Sequence, residues 1–229
     1  MLSQYFLLIT LTDLIKKSRY FTAIVIFIFL LIISSTPAKA KLFDGPVDKL
    51  PVIDRVALRK GSVVLTGEEG NYLCRILVDG SIDDAWKVLT DYDNFEAFLP
   101  GVTTSQLVQN QGNHKIFEQI NLIKTLMFRT EARIRLSITE DYPQKIVFNI
   151  VDGDVEDLNG TWLLEPVSLY PSAPPSQVLI THQVEVQPNS QLGKVIFYRI
   201  YENRLSQTLS AIKKEVEARY LQKLSNSQV

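Results

Sequence analysis

Ser81-Ile82-Asp83-Asp84-Ala85-Trp86-Lys87-Val88-Leu89-Thr90-Asp91-Tyr92, running into Phe95-Glu96-Ala97-Phe98-Leu99-Pro100-Gly101, is the stretch that decides how this chain folds. Ser81 and Asp84 stand three apart, the spacing of a capping box, in which each side chain satisfies an orphan amide of the first helical turn. Ala85, Trp86, Val88 and Leu89 then supply an apolar stripe. Asp93 with Glu96 resembles a second, shorter helix start; Phe95, Phe98 and Leu99 form its buried face, and Pro100-Gly101 stops it. The spacing therefore predicts two short helices. Their aromatics are core residues first, with some placed to line the mouth of a cavity.

Upstream, Val63 to Thr66 and Tyr72 to Asp79 read as two strands joined by the turn Glu68-Glu69-Gly70-Asn71. Downstream come Thr104 to Gln109 and Lys115 to Asn121, separated by Asn110-Gln111-Gly112-Asn113. Ala132, Ile134, Leu136 and Ile138 alternate with Glu131, Arg133, Arg135 and Ser137, a period of two with one apolar and one wet face. Ile146 to Val151 and Trp162 to Leu164 extend the sheet, and Ser168 to Gln177, with three prolines, reads as a loop. Val178, Ile180, His182, Val184 and Val186 share one face of a last strand ending at Pro188. Asn159-Gly160-Thr161 is formally a glycosylation sequon, but Asn-Gly reads more simply as a turn.

The final element is a long amphipathic helix. Phe197, Tyr201, Leu205, Leu209, Ile212, Val216 and Tyr220 step by three or four. An α+β architecture follows: a curved antiparallel sheet wrapped around a C-terminal helix, with two short helices after an early strand. Such a sheet gripping a helix tends to leave an apolar hollow between them.

Composition narrows the function. Among 229 residues, 46% are hydrophobic and 21% charged, which suits a globular body with extra segments. Without the first 40 residues, which carry a net +3, the chain holds about −4. That balance argues against nucleic acid, whose affinity comes from basic groups neutralising phosphates, and against anionic membrane surfaces. The lone Cys74 precludes an intrachain disulfide and reads as a small buried hydrophobe.

Lys16, Lys17 and Arg19 precede the apolar run Phe21 to Ile33, followed by Ser34-Ser35-Thr36-Pro37 and Ala38-Lys39-Ala40. Positive flank, short apolar core and small-x-small tripeptide describe an export signal cleaved after Ala40. The run spans roughly 20 Å of helix against a ~30 Å hydrocarbon core. Residues 20–36 together come closer to spanning, so an uncleaved membrane anchor is the alternative. In either case the folded body is expected outside the cytoplasm: periplasm, lumen or secreted.

The run Trp86-x-Val88-Leu89-Thr90-Asp91-Tyr92 with Phe95 and Leu99-Pro100-Gly101 resembles the opening of START-type (SRPBCC) domains, closest to the polyketide cyclase/dehydrase and lipid-transport group, including coenzyme-Q-binding proteins. Gly160-Thr161-Trp162-Leu163-Leu164 and Val184-Glu185-Val186-x-Pro188 agree, and the resemblance covers about residues 63–221. It implies a helix-grip fold with a cavity between sheet and C-terminal helix, where members bind lipids, quinones, sterols or polyketides. It brings no fixed catalytic motif to this sequence, and one fold hosts many functions. The expected organisation is residues 1–40 as signal or anchor, 41–54 as an extended tether, 55–224 as the START-like ligand-binding domain and 225–229 as a tail.

Candidate chemistry is sparse. Two distant histidines and one cysteine give no metal-ligand spacing, and neither a nucleophile elbow nor a phosphate-cradling loop occurs. The reading assigns no metal, cofactor or catalytic residue. The leading expectation is a binder or carrier of a lipophilic small molecule. Its walls would be Ala132, Ile134, Leu136, Val178, Ile180, Val184, Leu205, Leu209 and Ile212, with His182 as a polar contact, and either the proline loop or Asn94 to Gly101 as a lid. A cyclase or aromatase is the second expectation, with His182 or Glu118 as acid or base. A membrane-tethered protein-interaction module is the third. Arg133 and Arg135, with Arg129, read as a solvated sheet face.

Overall fold

The computed structural model describes residues 44–124, 129–189 and 193–227. The expected export signal or anchor, residues 20–36 included, lies outside them. Among the described residues no helix is long and apolar enough to cross a membrane.

Strands β1 (Val64–Glu68), β2 (Asn71–Asp79), β3 (Val102–Gln111), β4 (His114–Lys124), β5 (Arg129–Asp141), β6 (Lys145–Gly153), β7 (Val155–Val167) and β8 (Gln177–Pro188) form one antiparallel sheet. Its order is β1-β2-β8-β7-β6-β5-β4-β3. Every neighbour except β2–β8 is a sequential hairpin or its extension. The connection from β2 to β3 must therefore travel from one side of the sheet to its far edge. It does so through α2 (Ile82–Leu89), a 3-10 turn (Tyr92–Asn94) and α3 (Phe95–Phe98). The capping box forms as expected: the Asp84 amide donates to Ser81 Oγ, and the Ser81 amide to Asp84 Oδ2, each at 3.2 Å.

Bends between Val102 and Thr104, Leu107 and Gln109, and Arg135 and Leu136 shift the ladder register. Such bulges raise local twist and curl a sheet. The concave face receives α4 (Lys194–Asn226), whose Leu205, Leu209, Ile212 and Val216 are buried. The helix runs through Asn226, so the expected tail at 225–229 begins inside it.

Two expectations need correcting. The tether over 41–54 is not extended throughout: Val47 is fully buried and α1 (Val52–Arg59) starts within it. Pro51 stands just before the first helical residue, where a missing amide costs nothing. Val47 and Leu58 then join Val64, Leu77, Val167 and Leu179 in a second, smaller core on the outer face of the sheet. The expected turn at Asn159-Gly160 is interior to β7. A side chain at position 160 would strike the Gln183 carbonyl and come within 2.7 Å of the Phe148 ring. Glycine is there for close approach, not for reversal.

Candidate functional site

Between the concave face and the N-terminal half of α4 lies an apolar cavity of about 270 Å³. β4, β5 and β6 supply Phe117, Ile134, Leu136, Ile146 and Phe148; α2 and α3 supply Leu89 and Phe95. On α4, Phe197, Ile200, Tyr201, Arg204, Leu205, Thr208 and Ile212 follow one helical face toward it. Leu136, Ile138, Ile146 and Ile212 of the lining are buried and give it a closed side. Leu99, Pro100, Val102, Ile123 and Phe197 of the lining are half-buried, which marks their side as the mouth.

Of the expected walls, Ala132, Ile134, Leu136, Leu205 and Ile212 line this space, together with His182. Val178, Ile180, Val184 and Leu209 do not. They are buried in the main core, in one cluster with Ile76 and Val78 of β2 and Val216 of α4. They share a sheet face or helix stripe with the lining residues, but lie where the layers close on each other. Of the two expected lids, Asn94 to Gly101 contributes Phe95, Leu99 and Pro100 to the lining, whereas the proline loop contributes nothing. Phe98 instead packs under the Arg219 guanidinium, 5.7 Å from its ring centre.

His182 is sandwiched among aromatics. Its ring stacks on Trp162 with centroids 3.7 Å apart and on Phe148 at 5.7 Å. Nδ1 lies 3.3 Å from the Thr161 carbonyl, so that nitrogen carries the proton and donates. Burial pushes its pKa down to about 3, although the Thr161 carbonyl favours the charged form. At neutral pH the imidazole is uncharged. Among the described residues no carboxylate lines the cavity beside it. A group that titrates so low is a weak base at neutral pH. It serves as a polar surface and hydrogen-bonding partner.

Glu118 is not its partner. On β4 it is Phe117, Gln119 and Asn121 that face inward, so Glu118 projects outward with Ile116 and Ile120. There it accepts from Arg135 at 2.7 Å and Arg133 at 3.2 Å, and Arg133 also meets Asp152 at 2.6 Å. The Arg135 guanidinium, aided by Arg133 and Gln106, holds the Glu118 carboxyl below its ordinary range. Glu118 therefore does not reach the cavity as an acid or base, and the basic face carries its own counter-charges. Three further polar features of the lining escaped the sequence reading. Gln119 donates to Asn121 at 2.7 Å. Tyr92, its phenol pushed up by burial and by Glu140, donates to Glu140 at 2.8 Å. Arg204 reaches back from α4 to the carbonyls of Pro100 and Leu122. Cys74, the register neighbour of His182, is an inert buried thiol pushed up to about 12 by desolvation.

The sequence model of the polyketide cyclase/dehydrase and lipid-transport family matches residues 78–213, more than half the chain. The chain belongs to that family. No curated protein sequence matches it. Solved structures similar to it include a STAR-related lipid transfer protein from Xanthomonas axonopodis, at 16% identity and TM-score 0.53, covering 67% of this chain and 92% of that one. The Zhui aromatase/cyclase of Streptomyces sp. R1128 is similar at 12% identity and TM-score 0.51, with coverage of 71% and 96%. A START superfamily protein from Mycobacterium smegmatis gives 12%, 0.51, 71% and 99%. At these identities the likeness establishes the helix-grip fold shared with family members, and the chemistry rests on this chain's own cavity.

Proposed function

We propose that this family member binds and carries a lipophilic small molecule in the cavity between sheet and α4. The observation that carries the reading is the lining itself: apolar and aromatic walls around about 270 Å³, with few polar groups. That volume lies just below the ~300–1,000 Å³ range of small-molecule sites, which suits a small or slender ligand. Enclosing about 300 Å² of apolar ligand surface is worth roughly 7 kcal/mol before the entropy of association is subtracted. Catalysis of the cyclase type is the weaker reading, because His182 is held neutral and the lining brings no carboxylate to it. The export-like pattern from Lys16 to Ala40 supports a place of action outside the cytoplasm, with membrane association through residues 20–36 where the segment is retained.

Native mass spectrometry and organic extraction of the protein purified from its own host test this. A stoichiometric lipid, quinone or related lipophile is expected. A chain that emerges empty and takes up no lipophilic probe overturns it.

A further inference from the structure

Among the described residues the cavity lining contains one permanent cation and no anion. Arg204 is the cation; no Asp, Glu or Lys is among the lining residues. Arg59, Arg133, Arg135 and Arg219 each meet a carboxylate within 4.0 Å; half-buried Arg55, Arg75 and Arg204 meet none among the described residues, and of these three Arg204 alone lines the cavity. A guanidinium withdrawn from water without a counter-charge is costly, and the cost falls when an anion arrives.

The head is also held in place. Nη1 donates to the Pro100 carbonyl at 2.5 Å and Nη2 to the Leu122 carbonyl at 3.0 Å. Gly101, at φ 76°, leaves the space the guanidinium fills; any side chain there would collide with Nη1. These two bonds use two of the five N–H donors and fix the plane of the fork, leaving three for a ligand. Arg204 stands at the mouth, where Leu99, Pro100 and Val102 are half-buried, while the buried Leu136, Ile146 and Ile212 form the closed side.

Resting on the binding function proposed above, we infer that the ligand is a lipophilic carboxylate: its head group is taken by Arg204 at the mouth and its apolar body runs toward Ile146 and Ile212. A planar carboxylate matches the guanidinium fork with two parallel charge-assisted bonds, which a neutral head cannot provide. The neutral imidazole of His182 lines the cavity as a polar group without adding a competing charge.

The test compares dodecanoate, dodecanol and dodecyl phosphate by calorimetry at pH 8 on the full chain, with Arg204→Gln and Arg204→Lys beside it. Dodecanoate is expected to bind at least about tenfold tighter than dodecanol. Arg204→Gln should remove that advantage while leaving dodecanol within about threefold, and Arg204→Lys should keep part of it. Unchanged dodecanol binding also shows that the Gln variant is folded. Equal affinity for acid and alcohol in the parent overturns the inference but leaves the cavity intact. A parallel loss of both ligands in Arg204→Gln also overturns it, by reducing Arg204 to a structural latch. Tighter, Arg204-dependent binding of dodecyl phosphate overturns the carboxylate in favour of a phosphate head. Failure of all three probes to bind removes the cavity reading itself.

Discussion

The two halves of α4 meet the same sheet and do opposite things. Toward its C-terminus Val216, and at mid-helix Leu209 on the face turned away from the hollow, are fully buried in one core with Ile76 and Val78 of β2 and Val178 and Ile180 of β8, while Ile212 between them still borders the hollow. Toward its N-terminus, Tyr201, Arg204 and Thr208 look across a hollow at β4 to β7. The apolar stripe is continuous over both halves, so residue type does not separate them. What differs is the sheet opposite: the hollow faces β4 to β7, on the side of the sheet where the ladder register shifts in β3 and between β5 and β6, and such bulges curl a sheet. One half is where stability is stored, and the other is where a ligand is held.

The sharpest way to break this contrast is to truncate each half in turn. Leu209→Ala removes a fully buried side chain that does not line the cavity, and a loss of about 3 kcal/mol is expected in urea unfolding, within the usual 2–5. Leu205→Ala, one turn earlier and bordering the hollow, should cost less and weaken lipophile binding instead. Equal losses from the two would mean that the hollow fills in solution.

His182 sits where the halves join, and its protonation reports on both. Its folded pKa, about 3, lies below the ordinary 6.5, so between those values the unfolded chain binds more protons than the native one. The stability associated with the neutral ring is fully present above pH 6.5 and is lost progressively as pH falls toward 3. Where only this group titrates, the slope approaches about 1.4 kcal/mol per pH unit. His182→Phe keeps the stack on Trp162 and should flatten the acid limb by that one-proton slope. An unchanged slope would show that the ring is solvated through the cavity rather than buried.

Much of this architecture was legible in advance, for a local reason. The capping box at Ser81 and Asp84, the period-two face from Ala132 to Ile138 and the long stripe from Phe197 to Tyr220 are short-range signals, and each names an element. The hollow was not legible residue by residue. Ile180 and Leu136 belong to the same alternating pattern, yet one is packed and the other borders space, because curvature is a property of the whole sheet. Glu118 was a candidate acid or base because Ile116 and Ile120, which share its outer face, look as apolar as the core. Only the pairing of Phe117 with Leu136 reveals which side is inward. Arg204 gave no signal, because its partners, Pro100 and Leu122, are 104 and 82 residues away. α1 was hidden by prolines that signal a tether and a helix start alike.

If the halves are distinct, filling the hollow should cost affinity and not stability. Ala132→Phe places a ring in the void from the β5 side. At least about a tenfold loss of lipophile affinity is expected, measured by displacement of a fluorescent fatty-acid analogue, with unfolding free energy changed by less than about 1.5 kcal/mol. A large destabilisation would show that the space is smaller than it looks and that the ring overpacks it.

The smallest effect comes from the packed end and tests independence most directly. Asp84 closes that end: it caps α2 through Ser81 and accepts from Lys223 of α4 at 3.1 Å. Burial by itself would raise its pKa, yet the bonds from Ser81 and Lys223 prevail and hold it below the ordinary carboxylate value. Its contribution is therefore present above the unfolded pKa and fades as pH drops through the folded one. Ser81→Ala removes one arm of the box and should cost about 1 kcal/mol, the usual loss for an N-cap. Combined with Ala132→Phe, at the other end of the molecule, the stability changes should add within about 0.5 kcal/mol, and the affinity loss should equal that of Ala132→Phe alone. A coupling larger than that would mean α4 transmits strain along its length. The closed end and the hollow would then be one cooperative device rather than a scaffold and a site.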